Sequence, residues 1–214
     1  MSKQLQIDRL TKRQYQLIIA VSLVVYALAA SIAGKRTIGG LEGAVFNAVY
    51  SWPATLTPVF WAVTQVGSVW GLLTVATLAY AKGQRKLGFR VVYVGLFAYL
   101  LVEASKNIVE RSRPQFILSG VTQRESLITG LGFPSGHTAL VTALGLIVLP
   151  YLPRAFRPLV PLVIVLVMIS RMYLGVHAPL DVVGGFCVGI IAATSYYYGV
   201  LLAKPVLAKR RKRT

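Results

Sequence analysis

Cysteine occurs once in the 214 residues, as Cys187, histidine only twice, and acidic residues only six times. One cysteine excludes a disulfide framework and a cysteine-rich metal site, and the small apolar neighbours of Cys187 mark it as a packing residue. With six Asp and Glu against 23 Lys and Arg, the formal charge is +17. So basic a chain raises nucleic acid as a partner, and the placement of the cations has to decide the matter. The alternation of apolar and polar residues that membrane barrel strands require is missing too.

What the chain has in excess is apolar sequence in long blocks. Hydrophobic residues make up 56% of it and the mean hydropathy is +0.66. Runs of roughly 17–25 apolar residues cross a bilayer core of about 30 Å as helices, which satisfy their own backbone in lipid. Six such runs are predicted, at residues 17–33, 58–81, 87–105, 137–152, 158–174 and 180–203. The expected fold is therefore an all-α integral membrane protein with six transmembrane helices. Residues 17–203 form one domain between basic tails at 1–16 and 204–214. The first run, preceded by Lys3, Arg9, Lys12 and Arg13, also has the outline of a secretory signal. It is longer than a signal core and reads as an uncleaved helix.

The cations set the orientation. With six spans, the termini and the second and fourth connections share one side, and 16 of the 23 Lys and Arg fall there. By the positive-inside rule that side is cytoplasmic, and Lys209–Arg213 reads as an anchor to anionic lipid without any need for nucleic acid. The other side keeps Lys35, Arg36, Lys106, Arg111, Arg113, Arg124 and Arg171, together with both histidines. Seven cations against the topological trend imply work other than anchoring. In the first outer connection, Leu41, Val45, Ala48, Val49 and Trp52 lie opposite Glu42, Asn47 and Ser51 on a helical projection. A short helix in the interface fits that pattern.

Three clusters carry chemistry. Lys106 and Arg113 are seven residues apart, close to two helical turns, which predicts that they share a helix face, with Pro114 where the helix gives way. Arg offers a planar fork to phosphate oxygens and Lys a mobile point charge; a rim of snorkelling cations is the plainer alternative. Pro134-Ser135-Gly136-His137 opens the fourth run. There Ser caps backbone N–H groups and Gly lets an anion approach them. Ser170-Arg171 ends the fifth run, Gly175 supplies a turn, and His177 precedes Pro179 and Asp181 at the start of the sixth. A carboxylate four residues on from His177 fixes its tautomer and leaves the other nitrogen the better nucleophile. Glu103 is placed to hold Lys106 in position and Glu110 to pair with a neighbouring cation. The segment 115–133, with Arg124 and Glu125, has two readings, a contact with the head group and, more plainly, a connecting loop.

Together, Lys-x6-Arg-Pro, Pro-Ser-Gly-His and Ser-Arg-x5-His-x3-Asp resemble the signature of the type 2 phosphatidic-acid phosphatase superfamily, complete and in order from Lys106 to Asp181. The resemblance implies that His177 attacks phosphorus to form a phosphohistidine, with Asp181 as its orienting partner. It implies that His137 protonates the leaving group and then activates water. Lys106, Arg113, Arg171, the Ser135 hydroxyl and the Gly136 N–H correspond to phosphate ligands; Ser170 belongs to the motif without an evident role. No cofactor is expected. Three fixed cations and a helix N-terminus neutralise a phosphoryl group in transfer.

Two other chemistries remain open on the residues alone. His137, His177 and Asp181 make a two-histidine, one-carboxylate metal set, although three cations aimed at the same place repel a metal ion and attract an anion. An anion transporter also gathers cations at one face, but needs no His–Asp pair. Within the family, transfer of phosphate to another lipid is the nearer alternative to hydrolysis. The expected partners are the bilayer and a phosphorylated lipid: phosphatidate, phosphatidylglycerol phosphate, undecaprenyl pyrophosphate or a lipid A phosphate. The expected location is the plasma membrane, with the site facing outward.

Overall fold

The computed structural model describes residues 10–125 and 129–211, with side chains as far as 203. Lys3, Arg9, Lys212 and Arg213 of the basic tails lie outside the described residues, and so do positions 126–128 of the 115–133 loop. Among the described residues eight α-helices follow one another: α1 (Lys12–Ala33), α2 (Gly40–Tyr50), α3 (Thr57–Thr64), α4 (Val69–Ala81), α5 (Arg85–Val109), α6 (Gly136–Val148), α7 (Leu159–Tyr173) and α8 (Pro179–Arg211). No strand occurs among the described residues. The segments Lys12–Ala33, Arg85–Phe116, Arg154–Tyr173 and Pro179–Ala203 are long and apolar enough to cross a membrane. A fifth crossing is available if Ala54–Gly67 and Val69–Ala81 act as one bent span; Gly136–Tyr151 is apolar but shorter. The protein is a helical membrane protein.

The second apolar run departs from a straight helix. It breaks into α3, a 3₁₀ turn at Gln65–Gly67 and α4, with a 57° bend. Ser68 causes the restart: its backbone is extended, and its hydroxyl accepts the Gly71 N–H as the cap of α4. Gly67 allows the turn to lie against the start of α6, where a Cβ would come within 2.6 Å of the His137 carbonyl oxygen. The bend therefore abuts one of the two histidines.

α6 is the central helix. Its residues Thr138 to Leu144 are all buried, as expected of a helix packed on every side. It contacts α5, α7 and α8, while α1 runs along α8. The main core joins Val94 and Ala98 of α5, Ala143 and Ile147 of α6 and Ala192 of α8, all essentially inaccessible. Small residues let α8 approach closely. At Gly185 a Cβ would meet the Ser135 carbonyl oxygen at 2.3 Å, a backbone atom that cannot swing aside. This contact, and the hydrogen bond from Ser135 N to the Asp181 carbonyl, tie the start of α6 to the start of α8.

α2 is the helix expected in the first connection, and its orientation is informative. Leu41, Val45 and Trp52 are exposed, with Leu41 at 82%, whereas Phe46 is buried against Met172 and Val182. Leu41, Val45 and Ala48 of the apolar stripe face outward while Val49 packs inward, and Glu42 turns toward the protein while Asn47 and Ser51 stay exposed.

Candidate active site

Three chain segments meet at one end of the bundle: the end of α5, the first turn of α6, and the connection from α7 to α8. Ser135 caps α6, accepting from Thr138 N at 3.5 Å and from Thr138 Oγ1 at 3.1 Å. α7 ends at Tyr173, and Gly175 adopts φ +72° in the turn. The Val176 and His177 N–H groups fold back onto the Arg171 carbonyl, both at 3.2 Å. α8 then begins with Pro179 in its first turn.

These segments enclose a cavity of about 190 Å³ whose walls include Lys106, Arg113, Gly136, His137, Arg171 and His177. Ser68, Val69, Tyr99, Val102, Glu103 and Leu140 complete it, and Val69 and Tyr99 lie exposed between α4 and α5. Arg113 Nη1 donates to the Val176 carbonyl at 3.0 Å and lies 3.3 Å from His177 Nε2. An arginine has only donors, so Nε2 presents its lone pair and Nδ1 carries the hydrogen. Nδ1 is 3.5 Å from Asp181 Oδ2. Burial, with Arg113, Arg171 and Lys106 close by, holds the His177 imidazole well below the usual histidine value. It is neutral at pH 7. The arrangement can bind an oxyanion and offer it a neutral, oriented imidazole.

The other expected residues fall as follows. Lys106 bonds Glu103 Oε1 at 2.8 Å at the cavity wall. Arg171 is fully buried, donates from Nη1 to Glu125 Oε2 (2.6 Å) and Thr64 Oγ1 (2.8 Å), and keeps an Nε–H with no acceptor among the described residues. Ser135 is fully buried and engaged as a cap, and it is absent from the cavity wall. Ser170 is also buried, with its hydroxyl donating to the Val167 carbonyl at 2.7 Å within α7. Among the described residues no group of three His, Cys, Asp or Glu is disposed to hold a metal ion.

Two local expectations need correction. Lys106 and Arg113 do not share a helix face, because α5 stops at Val109, well before Pro114. Glu110 takes the left-handed conformation, φ +50°, its N–H closing on the Lys106 carbonyl, and Arg113 is extended. The two cations reach the same cavity from a helix and from a loop. Arg124 does not face the head-group cavity either. Its guanidinium lies between the rings of Tyr50 and Tyr173, at 4.3 and 4.5 Å, and donates to the Tyr50 and Tyr173 carbonyls. Glu110 is paired, with Arg36 at 2.6 Å.

Sequence reasoning gave Arg111, Glu42 and Thr64 no part in the site and left the role of Glu125 open. A usable signal lay in the scarcity of acids. Asp8 is outside the described residues, and each of the other five acids pairs with a cation at this end of the bundle: Glu42 and Asp181 with Arg111, Glu103 with Lys106, Glu110 with Arg36, Glu125 with Arg171. Glu42, Glu103, Glu125 and Asp181 balance cations at or directly behind the cavity, while Glu110 and Arg36 pair on the exposed surface.

Comparison with known proteins places the chain among related membrane phosphatases. An undecaprenyl-diphosphatase from Sulfolobus acidocaldarius is 30% identical over 181 residues, which cover 83% of this chain and 87% of that protein. The crystal structure of the first transmembrane PAP2 type phosphatidylglycerolphosphate phosphatase from Bacillus subtilis superposes with a TM-score of 0.69 at 22% identity, covering 87% of this chain and 96% of that one. The crystal structure of Aquifex aeolicus LpxE gives 0.66 at 23% identity, over 72% and 93%. The family model of the PAP2 superfamily matches residues 87–204, which hold all three clusters, and the chain belongs to that superfamily.

Proposed function

We propose that this protein is a membrane lipid phosphatase that cleaves a phosphomonoester or pyrophosphate of a lipid through a phosphohistidine, without a metal. The observation that carries the reading is the place of His177, with Nε2 3.3 Å from Arg113 Nη1 at a cavity walled by Lys106, Arg113 and Arg171 and Nδ1 3.5 Å from Asp181 Oδ2. An anion drawn to those cations meets a nucleophile already in the correct tautomer.

In the first step the Nε2 lone pair attacks phosphorus and the bond to the lipid oxygen breaks. His137, at the same cavity, gives that oxygen a proton. The lengthening negative charge on the equatorial oxygens falls on Lys106, Arg113, Arg171 and the Gly136 N–H at the start of α6. The Ser135 hydroxyl, by capping α6, keeps that N–H in place and serves the phosphate through it. His177 becomes positive when phosphorylated, and the 3.5 Å contact of Nδ1 with Asp181 tightens as that charge appears. In the second step His137 takes a proton from water, whose oxygen attacks phosphorus and frees His177.

A lipid fits because the cavity reaches the exposed strip between α4 and α5, where Val69, Trp70 and Tyr99 would meet hydrocarbon. Undecaprenyl pyrophosphate is the first candidate, since the Sulfolobus relative is an undecaprenyl-diphosphatase; phosphatidylglycerol phosphate, phosphatidate and lipid A phosphates follow. The helices act as six spans, with α3 and α4 as one bent crossing and α6 as a short one. Both termini are cytoplasmic, and the site opens on the outer side of the plasma membrane, in keeping with the basic residues of the opposite end. Phosphate release from these lipids by purified protein, with His177→Ala as the blank, tests the reading. Release from at least one lipid by the wild type alone is expected. Equal release by the variant would overturn it.

A further inference from the structure

Arg111 and Arg171 are the largest fully buried side chains among the described residues, but only Arg171 lines the cavity. Its guanidinium joins four segments. Nη1 donates to Asp181 Oδ1 at 3.0 Å and Glu42 Oε1 at 2.9 Å; Nη2 donates to Glu42 Oε2 at 2.7 Å and the Thr37 carbonyl at 2.7 Å. Glu42 Oε1 also accepts the Leu180 N–H at 3.2 Å, in the first turn of α8. Asp181 has its other oxygen on the Ala178 N–H at 2.8 Å and 3.5 Å from His177 Nδ1. A chain of contacts thus runs from α2 to the nucleophile: Glu42, Arg111, Asp181, His177.

We propose that Arg111, fixed by Glu42, is a positioning residue that acts through Asp181 to hold His177 with Nδ1 protonated and Nε2 toward the cavity. The inference rests on the reading of His177 as the nucleophile. The fork geometry matters here. A guanidinium grips the Glu42 carboxylate with two nitrogens and leaves one of them to fix the Asp181 oxygen, which an ammonium cannot do in a plane. Charge matters as well. Asp181, Glu42 and Arg111 sum to one negative charge behind the imidazole, and Arg113, Arg171 and Lys106 face it from the cavity. Glu125, Glu103 and His137 complete the titratable groups of the neighbouring segments. A sum of one negative charge supports the positive phosphorylated ring without protonating the resting one. α2 accordingly does more than link α1 to α3.

The test compares Glu42→Gln, Arg111→Gln, Arg111→Lys and the double variant Glu42→Gln/Arg111→Gln, with Glu110→Gln as an exposed ion-pair control. Arg111→Gln leaves two negative charges behind His177, and Glu42→Gln leaves none. The acid limb of kcat against pH should move up in the first and down in the second, each on the order of one unit, and return in the double variant. In both single variants kcat should fall at least about tenfold with KM within about twofold, because neither residue touches the cavity. Arg111→Lys should not restore it, and Glu110→Gln should change nothing.

With only two histidines in the chain, ¹⁵N-histidine labelling of the protein in detergent reports the ring directly. The wild type should show His177 protonated at Nδ1, and Arg111→Gln a mixture of tautomers. Glu42→Gln keeps shape and volume, so the comparison survives if the Arg111 variants fail to fold. Unmoved limbs and an unmoved tautomer in Glu42→Gln and Arg111→Gln overturn the proposal. Wild-type protein that releases no phosphate above His177→Ala, but whose tautomer still responds to these variants, overturns the phosphatase reading and leaves the positioning intact.

Discussion

Replacing Asp181 with Asn changes one charge and almost no volume, and its consequences can be worked from the contacts. The carboxylate is wholly buried, with Oδ2 accepting the Ala178 N–H at 2.8 Å and Oδ1 accepting Arg111 Nη1 at 3.0 Å. Both partners are donors only. An amide has one oxygen, so one of the two must face an NH₂ group. The loss of one charge-assisted hydrogen bond destabilises the fold by about 1.5–3 kcal/mol. Arg111 keeps both oxygens of Glu42, so the protein should still fold. The larger effect falls on catalysis. Removing one partner of a buried pair costs about 3–5 kcal/mol, and here the pair forms fully only when His177 becomes positive. At 1.36 kcal/mol per tenfold that is a loss of about 10²–10⁴ in kcat. KM should stay within about twofold, because Asp181 is not part of the cavity wall. Phosphate release in detergent micelles, with the folded fraction taken from thermal melts by circular dichroism, measures both. A folded variant with kcat within threefold of wild type, or with its defect confined to KM, would refute the reasoning.

Gly185→Val drives a side chain into the Ser135 carbonyl oxygen, 2.3 Å from where the Cβ would sit; overpacking against backbone should cost about 3 kcal/mol or more and lower the melting temperature, and an unchanged melt would contradict the packing of α8 on α6. Arg124→Lys loses the grip on the Tyr50 and Tyr173 carbonyls and the place between their rings, so stability should drop by about 1–3 kcal/mol with kcat and KM of the folded protein unchanged; a raised KM would return Arg124 to the head group. The His177 ring is held well below its unfolded value of about 6.5, so below that pH the unfolded state binds the extra proton. Stability should therefore be independent of this group above pH 6.5, and the group should contribute a fall of about 1.4 kcal/mol per unit below it until the folded-state value is reached; in His177→Ala the slope should be smaller by that amount. The pH–rate profile should be bell-shaped, and a rate constant from pH 5 to 9 would argue against two catalytic histidines. EDTA should leave turnover unchanged, and loss restored by a divalent metal would reinstate the metal reading of His137, His177 and Asp181.

What the sequence made legible was local. The apolar runs announced the helices. Gly175, Pro179 and Ser135 announced the ends that bring His177, Asp181 and His137 to one place, because each acts on the backbone within a few residues. The end of α5 was legible only in part: Pro114 stops a helix before it and cannot bond the Glu110 carbonyl, but the left-handed turn at Glu110 goes with the contacts that Arg111 and Arg113 make to distant segments. The role of Glu42 was hidden for a similar reason. On a helical projection it opposes the apolar stripe and reads as solvated, but α2 turns Leu41 and Val45 outward and Glu42 inward. A projection distinguishes two faces; which one meets protein depends on the medium outside. The break at Gly67 and Ser68 was obscured by continuous hydrophobicity, although Ser two residues past an apolar run and three before Gly71 is a cap in the right position.

The central claim is that phosphate leaves the lipid by way of His177, in two in-line displacements rather than one. Each displacement inverts phosphorus. A substrate made chiral at its terminal phosphorus with sulfur and oxygen isotopes, turned over in isotopically labelled water, reports the sum. The phosphohistidine route predicts net retention of configuration, and net inversion would mean that water attacks the lipid phosphate directly.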